Sequence, residues 1–292
     1  MSPFCPDFWI VGAQKGGTTA LATFLAAHPQ IGLAPVKEVH FFDYDRAYFA
    51  PQGTPNPSAN AQGLALSPPQ GIPNYPADAQ GLALSPPQSI PNYPAYAQAF
   101  PPRPPQGLLG EATPIYMYFP WIAPRLRACN PAAKLIAILR QPGDRAYSHY
   151  QMERQRGWET WPFGLAIRLE GLRLGLVRDR RAASERSPLR VHSYVDRGFY
   201  HRQLVNLLRH FPASQLLVLR NEDLQHNHIG TLRRVAAFLG IDPDVDWPAP
   251  RPILKGEYEP MDRRDRRYLQ RIFAPEIARL ETLLNQDLSP WR

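Results

Sequence analysis

The 292-residue sequence has few cysteines, few lysines and no long apolar run, and each shortage narrows the possible class of protein. Its two cysteines, Cys5 and Cys129, provide neither a metal-site spacing nor a disulfide framework, so we expect two unpaired thiols in a reducing compartment. No apolar run approaches the ~20 residues that span a bilayer, and the first residues lack the pattern of a secretory signal. Together these observations predict a cytoplasmic protein without a transmembrane segment.

The charge balance favours an anionic partner. The formal net charge is +8, but the basic residues are spread over 125–292 with acidic residues between them. They form no dense run and no aromatic-interleaved motif of the kind that binds RNA, so we expect no nucleic-acid partner. Lysine occurs only at positions 15, 37, 134 and 255, and all other basic residues are arginines. The compact ammonium of Lys15, inside a glycine-rich stretch, therefore suggests a specific role.

Proline, by contrast, is abundant, and it is concentrated between residues 51 and 106. There an 18-residue unit at 61–78 is repeated at 79–96. Two copies are too few for a solenoid, and the proline density argues against helix and central strand. We therefore expect a single domain over 1–292, interrupted by an extended or disordered insertion at 51–106; partner binding by that insertion is a less favoured alternative. The two copies differ only at Gly71/Ser89 and Asp78/Tyr96.

The most informative segment is Phe8–Thr19, FWIVGAQKGGTT. It predicts a strand at 8–12, a loop at 13–18 and a helix at 19–28, an arrangement that holds a phosphate at a helix N-terminus. The usual P-loop would place its lysine where Thr18 stands, whereas this chain has Lys15. The loop therefore predicts nucleotide binding for a transfer reaction other than ATP hydrolysis. The alternative is a tight turn that needs glycine only for close packing.

A second anion site is predicted around Arg140, which ends an apolar strand at 133–140, and Ser148, in a helix at 145–156 that follows a turn at 142–144. Apolar strands that alternate with helices indicate an α/β domain with a central parallel sheet flanked by helices. In such sheets ligands bind beyond the carboxyl ends of the strands, so both loops should face one crevice. Two anion sites there suggest a nucleotide with phosphates at two positions. The remaining predicted elements are a third strand at 215–220 and helices at 119–128, 163–175, 197–210, 229–239 and 262–284.

The placement of acidic and basic residues predicts that fixed cations, and no metal ion, bind the anion at this crevice. A magnesium-dependent NTPase usually ends its second strand on an aspartate, and here Arg140 stands at that place, although the acids at 222–223 remain a possible exception. Glu38 and His40 lie two residues apart, so on an extended segment they point the same way and either can act as a general base. The alternative is an exposed Glu38 beside a structural His40.

Together these residues resemble the PAPS-dependent sulfotransferases, especially the heparan-sulfate N- and O-sulfotransferase domains and their bacterial relatives. The resemblance covers nearly the whole chain outside 51–106. The segments that carry it are Phe8–Thr19, Lys37–Phe42, Ile136–Ser148, Gly198–Tyr200 with Gln203 and Leu204, Phe211–Pro212, Glu222–Leu224, and Lys255–Tyr258 with the last helix and Trp291.

The resemblance implies transfer of a sulfonate group from PAPS to a hydroxyl or amine of a glycan, lipid or small molecule, with release of PAP. It implies Glu38 as the base and His40 as a supporting group or fallback base. A metal-dependent nucleotide kinase and a catalytically silent nucleotide-binding scaffold are the alternatives. The donor-binding residues that the resemblance implies are Lys15 at the bridging oxygen and sulfonate, Gly16, Gly17, Thr18 and Thr19 at the 5′-phosphate, and Arg140, Ser148, Tyr200, Lys255 and Gly256 at the 3′-phosphate.

One position departs from the pattern of the heparan O-sulfotransferases. They have Glu-Lys-Thr-Pro where this chain has Glu111-Ala112-Thr113-Pro114. The missing lysine removes a cation from the acceptor side, which argues against a heparan-like polyanionic acceptor.

Overall fold

Five short strands form one sheet in the structure of the protein, a computed structural model that describes residues 4–43, 93–177, 186–253 and 256–292. The strand order is β2-β3-β1-β4-β5, and all four pairings are parallel. The predicted parallel α/β sheet is therefore confirmed. The strands are β1 Phe8–Gly12, β2 Ile31–Leu33, β3 Leu108–Ala112, β4 Lys134–Leu139 and β5 Leu216–Arg220.

Helices cover both faces of the sheet, as buried parallel strands require. The side chains of β1 alternate between two apolar cores: Trp9 and Val11 belong to one, and Phe8 and Ile10 to the other. All five residues of β1 are buried. The helices are α1 Thr18–Leu25, α2 Tyr93–Gln98, α3 Ile122–Cys129, α4 Pro142–Gln155, α5 Phe163–Arg168, α6 Glu170–Gly175, α7 Pro188–Val191, α8 Tyr200–Leu208, α9 Asn221–His226, α10 His228–Leu239 and α11 Arg263–Leu284.

The start of α4 corrects one expectation. The turn predicted at 142–144 is instead the first turn of α4, which begins at Pro142. Proline suits this position because its missing N–H would have no partner in the first turn of a helix. The Gln141 side chain caps the helix by accepting a hydrogen bond from the backbone N–H of Asp144 at 2.7 Å.

Two strands lacked a clear signal in the sequence. β2 is only three residues long, and β3 contains a glycine and a buried carboxylate, Gly110 and Glu111. A three-residue strand is too short to show a pattern, and a glycine and a carboxylate depart from the pattern of a central strand such as β3. Packing explains the glycine: a Cβ at Gly110 would lie 2.1 Å from the ring of Phe8 on the neighbouring strand.

Part of the proline-rich insertion is helical. α2, Tyr93–Gln98, lies within 51–106, so the expectation of an extended or disordered segment is wrong there. Proline is tolerated in the first turn of a helix, and Pro94 stands in that turn. Tyr96 is fully buried in the core. The rest of the repeat, up to residue 92, lies outside the described residues.

A disulfide joins Cys5 to Cys129, with their Cα atoms 5.8 Å apart, so the expectation of two unpaired thiols is wrong. The cysteines are 124 residues apart in the sequence, and spacing alone cannot reveal such a pair. The parallel pairing of β1 and β4 brings together the segments that precede these strands, and the Lys134 N–H donates to the Asp7 carbonyl at 2.9 Å. The predicted cytoplasmic location, which relied partly on free thiols, stays a prediction.

Within the described ranges, the helices include none that is both long enough and apolar enough to cross a membrane.

Candidate active site

The loop after β1 is shaped by close backbone packing. A Cβ at Gly16 would lie 2.4 Å from the carbonyl oxygen of Ile138 on β4, so only glycine fits there. Gly17, with φ of 105°, is the N-cap of α1 and has no side chain to satisfy the first N–H groups of that helix. The glycines therefore serve the packing of the turn, and they also leave the N-terminus of α1 open to an anion.

Lys15 lies among other cations. Its pKa is lowered to about 8, first by burial and then by the nearby charges of Arg156, Lys37 and Arg140, against the opposing effect of Glu38. Mutual repulsion of this kind indicates a site that an anion would stabilise, because a bound negative charge offsets the repulsion. Two of these cations, Arg156 and Lys37, were not among the residues that the sequence singled out as candidates.

The second predicted loop leaves the neighbouring strand at the same edge of the sheet. β1 and β4 are paired in parallel, and the Ala13 N–H after β1 donates to the Ile138 carbonyl at 2.9 Å. Arg140 directly follows β4, and Ser148 lies buried on α4. The two loops therefore border one crevice at the carboxyl ends of the strands, where ligands bind in such sheets.

Tyr200 and the C-terminus support this strand end. The hydroxyl of Tyr200 donates to the backbone carbonyl of Arg140 at 3.0 Å, and its ring is fully buried. The Gln141 side chain donates to the Trp291 carbonyl at 3.0 Å. Gly256 is exposed and sits against Tyr258, whose ring a Cβ would approach to 2.3 Å.

The remaining predicted donor residues lie in or beside the first loop. Thr18 is buried and Thr19 is partly buried in the first turn of α1. Lys255 lies outside the described residues.

Glu38 and His40 do meet, although for a different reason from the one expected. Both residues adopt left-handed backbone conformations, with φ of 64° and 55°, so the segment is not extended. The ring Nε2 of His40 lies 3.4 Å from Oε2 of Glu38, and Nζ of Lys37 donates to its Oε1 at 2.8 Å. The other ring nitrogen of His40 lies 2.8 Å from Asp43, which also accepts a 2.6 Å hydrogen bond from Arg190.

These contacts set the protonation states. Burial would raise the pKa of Glu38, but Lys37 and His40 hold it well below its usual range. Burial would lower the pKa of His40, but Asp43 and Glu38 raise it to about 9. At neutral pH, therefore, Glu38 is ionised and can accept a proton, whereas His40 already carries one. The geometry favours Glu38 over His40 as a base.

The inner face of α4 carries an ionisable stripe that the sequence reasoning did not single out. Arg145, His149 and Glu153 follow one another at four-residue intervals and are all buried. Glu153 Oε1 lies 3.3 Å from Arg156, and burial raises the pKa of Glu153 to about 7 despite the opposing charges of Arg156 and Lys15. The i, i+4, i+8 spacing in a polar helix was the available signal.

The possible metal-binding exception at 222–223 has another explanation. Asp223 forms an ion pair with Arg220 at 2.6 Å, which places a cation on this carboxylate. Across the four described ranges, no three His, Cys, Asp or Glu side chains gather in a way that could hold a metal ion. The absence of a metal stays a prediction.

Comparison with known proteins agrees with this geometry. The profile described as "Sulfotransferase family" matches residues 6–246. The chain is 27% identical over 254 residues to human bifunctional heparan sulfate N-deacetylase/N-sulfotransferase 2, a match that covers 83% of this chain and 23% of the relative. It is 28% identical over 236 residues to mouse heparan sulfate glucosamine 3-O-sulfotransferase 3B1, covering 81% of this chain and 46% of the relative. The chain thus spans less than half of either relative.

A solved structure of similar length also matches. The crystal structure of a sulfotransferase from Alicyclobacillus acidocaldarius superposes with a TM-score of 0.71 and 29% sequence identity, and the match covers 99% of both chains. The family profile alone covers well over half of this chain, including both loops of the crevice and the segment that carries Glu38. This chain is a member of the sulfotransferase family.

Proposed function

We propose that the protein transfers a sulfonate group from PAPS to a hydroxyl or amine of an acceptor and releases PAP. The family implies the donor, and one observation in the site carries the rest of the proposal. Lys15 feels the positive charges of Arg156, Lys37 and Arg140 together with the negative charge of Glu38, an ionised carboxylate that Lys37 hydrogen-bonds. This combination provides cations for a doubly phosphorylated donor and a proton acceptor for the incoming nucleophile.

The donor would be held at both ends. Lys15 and the first N–H groups of α1 suit the 5′-phosphosulfate, with Thr18 and Thr19 as hydroxyl donors. Arg140 and Ser148 suit the 3′-phosphate from the neighbouring loop. Tyr200 acts indirectly, since its hydroxyl holds the Arg140 carbonyl and so fixes the end of β4. Lys255 and Gly256 belong to the C-terminal segment that we expect to complete this pocket.

The acceptor would attack sulfur from the side of Glu38. As the new oxygen–sulfur or nitrogen–sulfur bond forms, Glu38 takes the proton of the nucleophile. The bond between sulfur and the bridging oxygen breaks, and its electron pair stays on the phosphate of PAP. Lys15 and the loop N–H groups stabilise that growing charge. His40, itself held by Asp43, hydrogen-bonds Glu38 and so orients the carboxylate.

One residue, Ala112, narrows the class of acceptor that we expect. The two curated relatives are named for heparan sulfate, a polyanion. In this chain Ala112 replaces the lysine of the O-sulfotransferase pattern, and its carbonyl accepts the N–H of Glu38 at 3.0 Å. We therefore favour an acceptor without a high negative charge, such as a neutral sugar, a lipid alcohol or a small alcohol.

Calorimetry tests the donor directly. We expect PAP to bind without a divalent ion and more tightly than ATP with magnesium. Transfer of labelled sulfate onto a set of sugars, lipid alcohols and small alcohols would then identify the acceptor. Absence of PAP binding would overturn the proposal. Magnesium-dependent preference for ATP would favour a nucleotide kinase instead, and PAP binding without transfer to any acceptor would favour a silent scaffold.

A further inference from the structure

A buried carboxylate beside the active site gathers four hydrogen bonds. Glu111 on β3 is fully buried and accepts from Trp9 Nε1 at 3.1 Å, Thr113 Oγ1 at 2.5 Å and Tyr116 OH at 2.8 Å. The fourth donor is the hydroxyl of Tyr96. An ionised or partly ionised carboxylate in a core requires such donors, because each removes part of the cost of burial.

Tyr96 also contacts the segment that carries the proposed base. Its ring stacks on Phe41, with centroids 4.1 Å apart and an interplanar angle of 7°, and meets Phe42 edge-on at 5.6 Å. Phe41 and Phe42 lie between His40 and Asp43. The two phenylalanines therefore link Tyr96 to His40, which contacts Glu38, and to Asp43, which contacts His40.

A second tyrosine completes this link. The hydroxyl of Tyr116 accepts the backbone N–H of Phe41 at 3.0 Å while it donates to Glu111. Glu111 is thus bonded to Tyr96, which packs on the rings, and to Tyr116, which binds the backbone of the same segment. The positive φ angles of Glu38 and His40 are costly for residues with a side chain, and such conformations persist only where the surroundings enforce them.

We propose that Tyr96 is a positioning residue for the transfer reaction, and that it makes the second copy of the 18-residue unit, and not the first, the one that completes the active site. Tyr96 lies at the last position of that second copy, at 79–96. The catalytic part of this inference rests on the proposed function. The other part, the docking of α2 against Glu111, Phe41 and Phe42, rests on the contacts of α2 alone.

The difference in sequence between the two copies determines which of them can place its last residue against Glu111. The first copy has Asp78 where the second has Tyr96. An aspartate at that place would set a second carboxylate against Glu111, whose pKa burial already raises, and would offer no ring to Phe41 and Phe42. Two nearly identical segments would otherwise compete for one position, and a single unfavourable charge is enough to exclude one of them.

The repeat itself provides a matched pair of variants. Deletion of 61–78 or of 79–96 leaves one copy, and the two products have the same length. They differ only at the Gly71/Ser89 and Asp78/Tyr96 positions. We expect the first deletion to keep wild-type turnover within about twofold. We expect the second to lose about a hundredfold in kcat, a loss typical of misplaced catalytic groups, while both bind PAP as the wild type does.

Two further variants separate positioning from folding. In the chain that lacks 79–96, Asp78→Tyr should restore kcat to within about threefold of the other deletion variant. In the full chain, Tyr96→Phe keeps the ring and removes the bond to Glu111, so it should lower kcat by about tenfold without changing the KM for PAPS. A role in stability alone would leave the kcat of the folded Tyr96→Phe variant unchanged, and that result would overturn the assignment.

Hydrogen exchange tests the docking part without any assay of turnover. We expect the peptide that covers 37–43 to exchange slowly in the wild type and in the chain without 61–78, and quickly in the chain without 79–96. Equal exchange, or equal turnover, in the two deletion variants would overturn this inference by itself. Failure of the wild type to bind PAP would instead count against the proposed function and leave the exchange result to decide the docking.

Discussion

The two halves of the proposed active site, one for the donor and one for the acceptor, are built in different ways. The donor side consists mainly of two strand–loop–helix segments, and each is continuous in the sequence. The acceptor side consists of Lys37–Asp43, which is held by residues far away in the chain, including Arg190, 147 residues from Asp43. The first half depends on local geometry, and the second on a network of remote contacts. We therefore expect substitutions on the donor side to weaken PAP binding and substitutions on the acceptor side to lower turnover.

The sharpest test of this contrast is Glu38→Gln. The amide keeps the size of the side chain and cannot take a proton, so we expect turnover to fall by about a thousandfold or more, within the range for general acid–base catalysis. PAP affinity measured by calorimetry should stay within about twofold. Retained turnover would remove Glu38 as the base.

Asp244→Asn offers a control for that substitution. Its carboxylate is exposed and pairs with Arg233 at 3.0 Å. Asp244 follows α10 and lies close to Asp242 in the chain. The N–H of Asp242 donates to the Gln30 side chain just before β2, so this region lies at the amino ends of the strands, away from the crevice. The control should match the wild type in both turnover and PAP binding.

Lys15→Ala should lower both turnover and PAP binding. Lys15 would touch the leaving group as well as the bound donor, so we expect kcat to fall by about a hundredfold and PAP binding to weaken. Lys134→Ala is the matched control, because Lys134 begins β4 at the opposite edge of the sheet and lies 5.6 Å from the ring of Phe238. Equal effects of the two substitutions on kcat would exclude a specific role for Lys15.

Arg140→Ala and Ser148→Ala should affect binding almost alone. Each removes a hydrogen bond to a charged phosphate, which is worth about 1.5–3 kcal/mol, so PAP affinity should fall by about tenfold to a hundredfold. With saturating PAPS, kcat should change little. Loss of kcat at saturating PAPS, with PAP affinity unchanged, would show that these residues act in turnover and do not bind the donor.

Local patterns predicted the strands that frame the proposed donor side. The strands at 8–12, 133–140 and 215–220 are confirmed within one residue at each end, and the first two lead into the loops of the crevice. Apolar runs followed by Gly16 and Gly17, or by Arg140, carry that information in a few adjacent residues. The parallel pairing then follows from the alternation of strands and helices.

The rest of the site depends on contacts that no short segment contains. Glu38 and His40 meet through left-handed backbone conformations, which the sequence did not indicate. Tyr96 lies in a proline-rich repeat, where composition argued against a helix, yet packing with Phe41 and Glu111 stabilises one. The disulfide between Cys5 and Cys129 likewise exists because the sheet brings two distant segments together.

The smallest expected effect concerns stability and pH. Because the folded-state pKa of His40 is raised from 6.5 to about 9, its charged form stabilises the fold fully below about pH 6.5, and this contribution is lost as the pH rises through 9. The midpoint of thermal unfolding should therefore fall over this range in the wild type. His40→Gln should lose this part of the pH dependence, whereas His226→Gln, an exposed control at the end of α9, should keep it. An unchanged pH dependence in His40→Gln would mean that His40 is not held in its charged form by Asp43 and Glu38, and the argument that prefers Glu38 to His40 as the base would fail with it.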